Sequence, residues 1–174
     1  KEESNLKRVI FVENENTYFY LKKIIHKYKK KTAIVSLAKL NFVQPNNHFY
    51  HFANKTIAQI FFLLTKIQFL YSSTPDLNNS IFRKSLFNKT RYIYIQHSPA
   101  SLCMIYNEEA FKHFDFIQVI NKNQHSDVLD MNKIFKKKIK PIKSRYFLIE
   151  ELQKKNNSND EIDFLIAPSW GSNF

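Results

Sequence analysis

The residues whose types and spacing could do chemistry lie in one stretch, Arg91 to Asp115, which reads RYIYIQHSPASLCMIYNEEAFKHFD. Tyr92-Ile93-Tyr94-Ile95 is β-branched and aromatic, a strand by propensity and period, and Pro99 stops the ladder two residues after His97. His97 is therefore expected at a strand's carboxyl end, the edge where open α/β sheets bind ligands. An imidazole titrating near neutrality can there take a proton from a hydroxyl. Ser98, Ser101 and the nearby backbone amides suit a phosphate or a substrate hydroxyl. Ser98 is not read as a hydrolase nucleophile: the G-x-S-x-G elbow is missing, and neighbours in an extended segment face opposite ways.

The other histidines, His26, His48, His51, His113 and His125, show no H-E-x-x-H or comparable spacing, so no metal is expected. Cys103 is the single cysteine, which excludes an intramolecular disulfide framework and a cysteine zinc site, and fits a reducing, cytoplasmic compartment. A single glycine excludes the G-x-G-x-x-G and Walker phosphate loops. No cofactor is expected.

The elements that must position His97 alternate along the chain. Val9 to Val12 is a buried-strand run ending in Glu13-Asn14. From Glu15 to Lys30, Tyr18, Leu21, Ile24, Ile25 and Tyr28 recur at helical spacing, with lysines between them. Thr32 to Leu37 is a second strand, and strand, helix, strand within about 30 residues is a βαβ unit with parallel strands. After a loop at Pro45-Asn46-Asn47, the pattern predicts a short strand over Phe49 to Phe52, a helix over Lys55 to Lys66 and a strand over Gln68 to Ser72. A short helix is expected within Asn78 to Thr90. Beyond the central strand, a helix is expected over Asn107 to Phe114, acidic early and basic late as the helix dipole favours. A strand over Phe116 to Ile120, a helix over Asn123 to Phe135, a strand over Ile139 to Ile142 and a helix over Arg145 to Lys154 follow. The fold class is α/β, a Rossmann-like parallel sheet flanked by helices. The pattern predicts one domain over residues 1–155, a polar linker over 156–161, and over 162–174 the first strand and loop of a truncated second domain.

The chain has ample material for a core, 44% hydrophobic residues over 174 positions. The apolar window Ile57 to Tyr71 is interrupted by Gln59, Lys66 and Gln68 and falls short of the ~20 residues of a spanning helix, so a core or interfacial helix explains it. The chain begins Lys-Glu-Glu-Ser with no apolar h-region, which reads as a fragment without a signal peptide. A net charge of +12 favours anionic partners: phosphorylated substrates, an acidic membrane surface or nucleic acid. The lysine clusters at 22–31 and 136–143 read first as solvated faces. Nucleic acid is disfavoured, because the aromatics follow strand and helix periods and no RNP-type motif occurs.

HSPASLCMIYNEEAFKHFDFIQVIN, then KPIKSRYFLIEEL and IDFLIAPSWGSNF, resembles the CDP-glycerol glycerophosphotransferase family of teichoic-acid and capsule polymer enzymes. The likeness is to shorter members with H-S-x-x-S-x-x-M-I-Y, an acidic pair or Glu-Gly before Ala-Phe, then Phe-Asp, and later A-P-S-W-G. It covers the chain from Arg91 onward. It departs at Glu108-Glu109, where members carry Glu-Gly, and at Ser144-Arg145-Tyr146, where a Gly-Tyr-Pro type turn is usual.

The resemblance implies the amino-terminal, acceptor-side domain of a GT-B architecture, with most of the CDP-glycerol site beyond Phe174 and this length of chain inactive alone. It casts His97 as general base on the acceptor hydroxyl. Ser98 and Ser101 would hold acceptor or phosphate, with Glu13 and Asn14 lining the cleft and Ser169 and Gly171 in the donor-side turn. The partners implied are CDP-glycerol or a similar nucleotide-activated donor and a lipid-linked or polymer acceptor, at the cytoplasmic face of the membrane and peripheral to it. A nucleotide-sugar glycosyltransferase of the same architecture and a non-catalytic polyanion-binding domain are the alternatives.

Overall fold

Among the described residues, seven short strands lie parallel in one sheet with helices on both faces, the inner strands apolar and the edge strands HFYH and KPIK polar. The computed structural model describes residues 6–27, 32–40, 48–76, 89–107 and 109–146. The strands are β1 (Leu6–Val12), β2 (Thr32–Ser36), β3 (His48–His51), β4 (Ile67–Ser72), β5 (Arg91–Tyr94), β6 (Phe116–Val119) and β7 (Lys140–Lys143). They lie in the order β3-β2-β1-β4-β5-β6-β7, every neighbouring pair parallel. This is the Rossmann-like α/β arrangement expected from the alternating pattern.

Buried parallel strands carry continuous apolar runs because both faces are covered. In β1, Val9 and Phe11 pack on one side of the sheet and Ile10 and Val12 on the other. The second side receives α1 (Glu15–Lys27) through Tyr18, Leu21, Ile24 and Ile25. The first side receives α2 (Lys55–Leu64) through Ala58 and Phe62, the short α3 (Leu102–Ile105) through Leu102, and α4 (Lys122–Phe135) through Val128 and Met131. Two asparagine caps set where the longer helices on that side begin. Asn54 accepts the Thr56 amide at 2.8 Å, and Asn121 accepts the Gln124 amide at 2.8 Å.

The helix expected over Asn107 to Phe114 is absent. Among its described residues the chain makes a succession of tight turns: the amides of Ala110, Lys112 and Phe114 donate to the carbonyls three residues back. Packing explains it. Phe111 and Phe114 are both fully buried against Tyr94, with ring centroids at 4.8 and 5.4 Å, and the tighter turns carry both rings there. The helix of this region comes earlier, at Leu102–Ile105. The expected linker, the strand at 162–167 and the turn bearing Ser169 and Gly171 lie outside the described residues. So does most of the helices expected at 78–90 and 145–154.

Candidate functional site

The chain leaves β1 for α1 and β2 on one side of it, and returns with β4 on the other. At that reversal, loops leaving neighbouring strands diverge and open a crevice above their carboxyl ends. A cavity of about 350 Å³ lies there, lined by Glu13, Asn14, Asn16, Thr17, Ser73, Thr74, Pro75 and His97. Three strands supply it: β1 delivers Glu13 and Asn14, β4 delivers Ser73 to Pro75, and β5 delivers His97.

Each wall is fixed by a local device. Asn14 caps α1, its Oδ1 accepting the Thr17 amide at 2.9 Å and the Thr17 hydroxyl at 3.1 Å. The buried Ser72 ends β4, with its Oγ accepting the Thr74 amide at 3.0 Å. That turn presents the Thr74 hydroxyl, which donates to Glu13 Oε2 at 2.9 Å across 61 positions of sequence. β5 is held alongside by the Ile95 amide on the Ser72 carbonyl at 2.8 Å.

His97 is half-buried. The Tyr94 hydroxyl lies 3.1 Å from its Nδ1 and the Tyr106 hydroxyl 3.2 Å from its Nε2, and Tyr94 donates to Tyr106 at 3.2 Å. Burial lowers the imidazole below its usual 6.5, while a hydrogen bond to the Ser73 backbone works in the opposite direction. Tyr94, deep in the core and next to Tyr106, is pushed well above the ordinary phenol value by burial first and by Tyr106 second.

The turn that carries His97 is tied down at three points. The Tyr146 hydroxyl donates to the His97 carbonyl at 2.9 Å. The fully buried Gln124 donates its Nε2 to the Ala100 carbonyl at 2.8 Å and accepts the Ile120 amide at 3.0 Å. Asp127 Oδ2 accepts both the Ser101 hydroxyl and the Leu102 amide at 2.9 Å. Groups held this way reach a reacting atom with little reorganisation.

Of the residues singled out in the sequence, the structure thus brings Glu13, Asn14 and His97 together around one cavity. Ser101 is turned toward Asp127 on α4, and neither it nor Ser98 is among the residues lining that cavity. Ser169 and Gly171 lie outside the described residues. Sequence reasoning did not single out Ser73, Thr74 or Tyr106 for the site. Thr74 carried no local signal, since its partner Glu13 comes from another element, and Tyr106 stood in the sequence only as the last residue of the H-S-x-x-S-x-x-M-I-Y segment. Tyr146 was noted only as a departure from a turn pattern, and its role is to hold His97.

Among the described residues, the cavity lining holds one carboxylate, one imidazole and the hydroxyls and amides of Ser, Thr and Asn, with no lysine or arginine. Such a wall exchanges hydrogen bonds with hydroxyl groups and gives a phosphate no countercharge. Among the described residues no group of three or more His, Cys, Asp or Glu side chains could hold a metal ion, and no helix is long and apolar enough to cross a membrane. Comparison of the chain with protein-family models, curated proteins and solved structures finds no match.

Proposed function

We propose that this chain is the acceptor-side domain of a transferase that moves glycerol phosphate, or a related polyol or sugar phosphate, from a CDP-activated donor to a hydroxyl acceptor of a surface polymer. The observation that carries the reading is His97 at the carboxyl end of β5, bordering a switch-point cavity whose other side chains suit hydroxyl groups. The ordered motifs from His97 to Tyr106 support the family, and the parallel sheet suits either half of a GT-B enzyme.

In this reading the cavity takes the uncharged, hydroxyl-bearing end of a lipid-linked or polymeric acceptor at the cytoplasmic face of the membrane. Glu13, oriented by Thr74, accepts one acceptor hydroxyl, and the reacting hydroxyl displaces Tyr106 from His97 Nε2. As the acceptor oxygen bonds to the β-phosphorus of CDP-glycerol, its proton passes to the imidazole. The bond from that phosphorus to the bridging oxygen breaks, and CMP leaves. A neutral imidazole is the form required, and the burial of His97 favours it. Charge on the transferring phosphoryl group is left to the donor-side half, since the described lining of the cavity holds no lysine or arginine.

The test is His97→Ala in the complete enzyme. CMP release from CDP-glycerol plus acceptor should fall by about 10²-fold or more, with the circular-dichroism spectrum and melting unchanged. Near-normal turnover would overturn the assignment of the base. A donor panel separates CDP-polyols from nucleotide sugars.

A further inference from the structure

A second cavity, independent of the transferase reading, opens at the carboxyl ends of β6 and β7, on the same edge of the sheet as the first. It measures about 290 Å³ and is lined by Val119, Ile120, Asn121, Lys122, His125 and Lys143, none of them shared with the first. Two elements bring its basic side chains together. The β6–β7 register sets Lys143 opposite Val119, and the Ser144 amide donates to the Val119 carbonyl at 2.9 Å. From Val119 the chain passes through Ile120 and Asn121 into α4, which carries Lys122 and, three residues on, His125 on the same side.

Neighbouring lysines have partners within the fold. Lys112 pairs with Glu109 and Lys133 with Asp130, each at 2.8 Å, and Lys137 donates to the carbonyls of Lys112 and Phe114 at 3.0 and 2.7 Å. Among the described residues, Lys122 and Lys143 have neither an ion pair nor a side-chain hydrogen bond, and no carboxylate lines their cavity. Two ammonium groups around one recess of this size, with no countercharge, repel each other, and an anion seated between them relieves that repulsion.

The lining also indicates which anion. Two ammonium groups and an imidazole able to donate a hydrogen bond match the doubly charged, three-oxygen end of a phosphate monoester better than a single carboxylate. Buried Val119 and half-buried Ile120 make part of the lining apolar, a surface that free phosphate leaves uncovered and an organic group covers. The volume stands at the lower end of the ~300–1,000 Å³ range of small-molecule sites and so admits one small molecule. We propose that this recess binds a small organic phosphate monoester, with its phosphate held among Lys122, His125 and Lys143 and its organic group against Val119 and Ile120. The three basic side chains are exposed, so the ligand reaches them without rearrangement of the fold.

Calorimetric titration of the purified protein at physiological salt, at a pH where the phosphate is doubly charged, tests this. Phenyl phosphate is expected to bind one-to-one, inorganic phosphate several-fold more weakly, and phenyl sulfate, of the same shape with half the charge, about tenfold more weakly. Lys122→Gln/Lys143→Gln should lower the affinity for phenyl phosphate at least about tenfold at unchanged melting temperature, both side chains being exposed. Lys55→Gln/Lys66→Gln removes the same charge at the ends of α2 and should leave binding as it is. In an NMR titration the amide signals of Ile120, Asn121, Lys122 and Lys143 should move saturably, while those of Glu13, Asn14 and Thr74 stay in place. Equal loss of affinity in the two double variants would overturn the proposal, because it would mean diffuse attraction of anions to a basic protein. So would an absence of phenyl phosphate binding, inorganic phosphate or phenyl sulfate binding as tightly as phenyl phosphate, or shifts confined to the first cavity.

Discussion

The chemistry at His97 follows from how much water reaches it. The imidazole is half-buried between two tyrosine hydroxyls, and burial outweighs the Ser73 hydrogen bond, so the ring loses its proton more readily than a histidine in water. Between the lowered folded value and the usual 6.5, the unfolded chain holds more protons than the folded one. Stability therefore falls as pH drops through that window, and above 6.5 this group no longer changes it. Proton NMR of the His97 ring should show a midpoint below 6.5, and under the proposed transfer reaction the acid limb of kcat/KM should fall with it. A midpoint at or above 6.5 would mean the ring is better solvated than its packing indicates. Thr74→Val isolates the other wall. It removes the hydroxyl that orients Glu13, and under the proposed transfer reaction is expected to raise KM for acceptor several-fold while kcat changes less, which steady-state kinetics with varied acceptor would separate.

The elements show which parts of this fold could be read from sequence, and the reason is locality. Runs such as Val9 to Val12 and Ala33 to Ser36 are buried on both faces, so composition alone reveals them. Glu13, Asn14 and His97 were legible because strand ends follow from strand positions. The turns at 107–114 were misread because their residues satisfy a helix's dipole rule, while the decisive contacts, Phe111 and Phe114 on Tyr94, are tertiary. The start of α3 was equally hidden, since its capping carboxylate, Asp127, belongs to α4. Two substitutions probe these devices. Lys136 ends α4 in the left-handed region at φ 49°, a position glycine occupies without steric cost, so Lys136→Gly should stabilise the protein by ~0.5–1 kcal/mol in urea unfolding. Gln124→Leu should destabilise it by ~1–3 kcal/mol, because it leaves the Ala100 carbonyl and the Ile120 amide without their partner. The same change loosens one of the three ties on the His97 turn, so under the proposed transfer reaction activity should fall further than stability alone accounts for.

At the scale of the molecule, charge is divided unevenly along the chain. All of Asp and Glu, 15 residues, lie outside positions 16–75, and the net charge is +12. The elements of that half, α1, β2, β3, α2 and β4, lie around β1 at one end of the sheet, α1 on one face and α2 on the other, so their lysines are spread over both faces of that end, where like charges repel one another. The Debye length is ~10 Å at 0.1 M salt, so ordinary buffers screen this repulsion only in part. Raising sodium chloride from 20 to 300 mM should therefore raise the thermal midpoint by a few degrees, where a chain with interspersed charges would hardly respond. A soluble polyanion such as heparin or polyphosphate should raise it further at matched ionic strength, since a multivalent anion occupies several lysines at once. Differential scanning fluorimetry across both series decides it. A midpoint indifferent to salt would mean that the lysines are too far apart to interact.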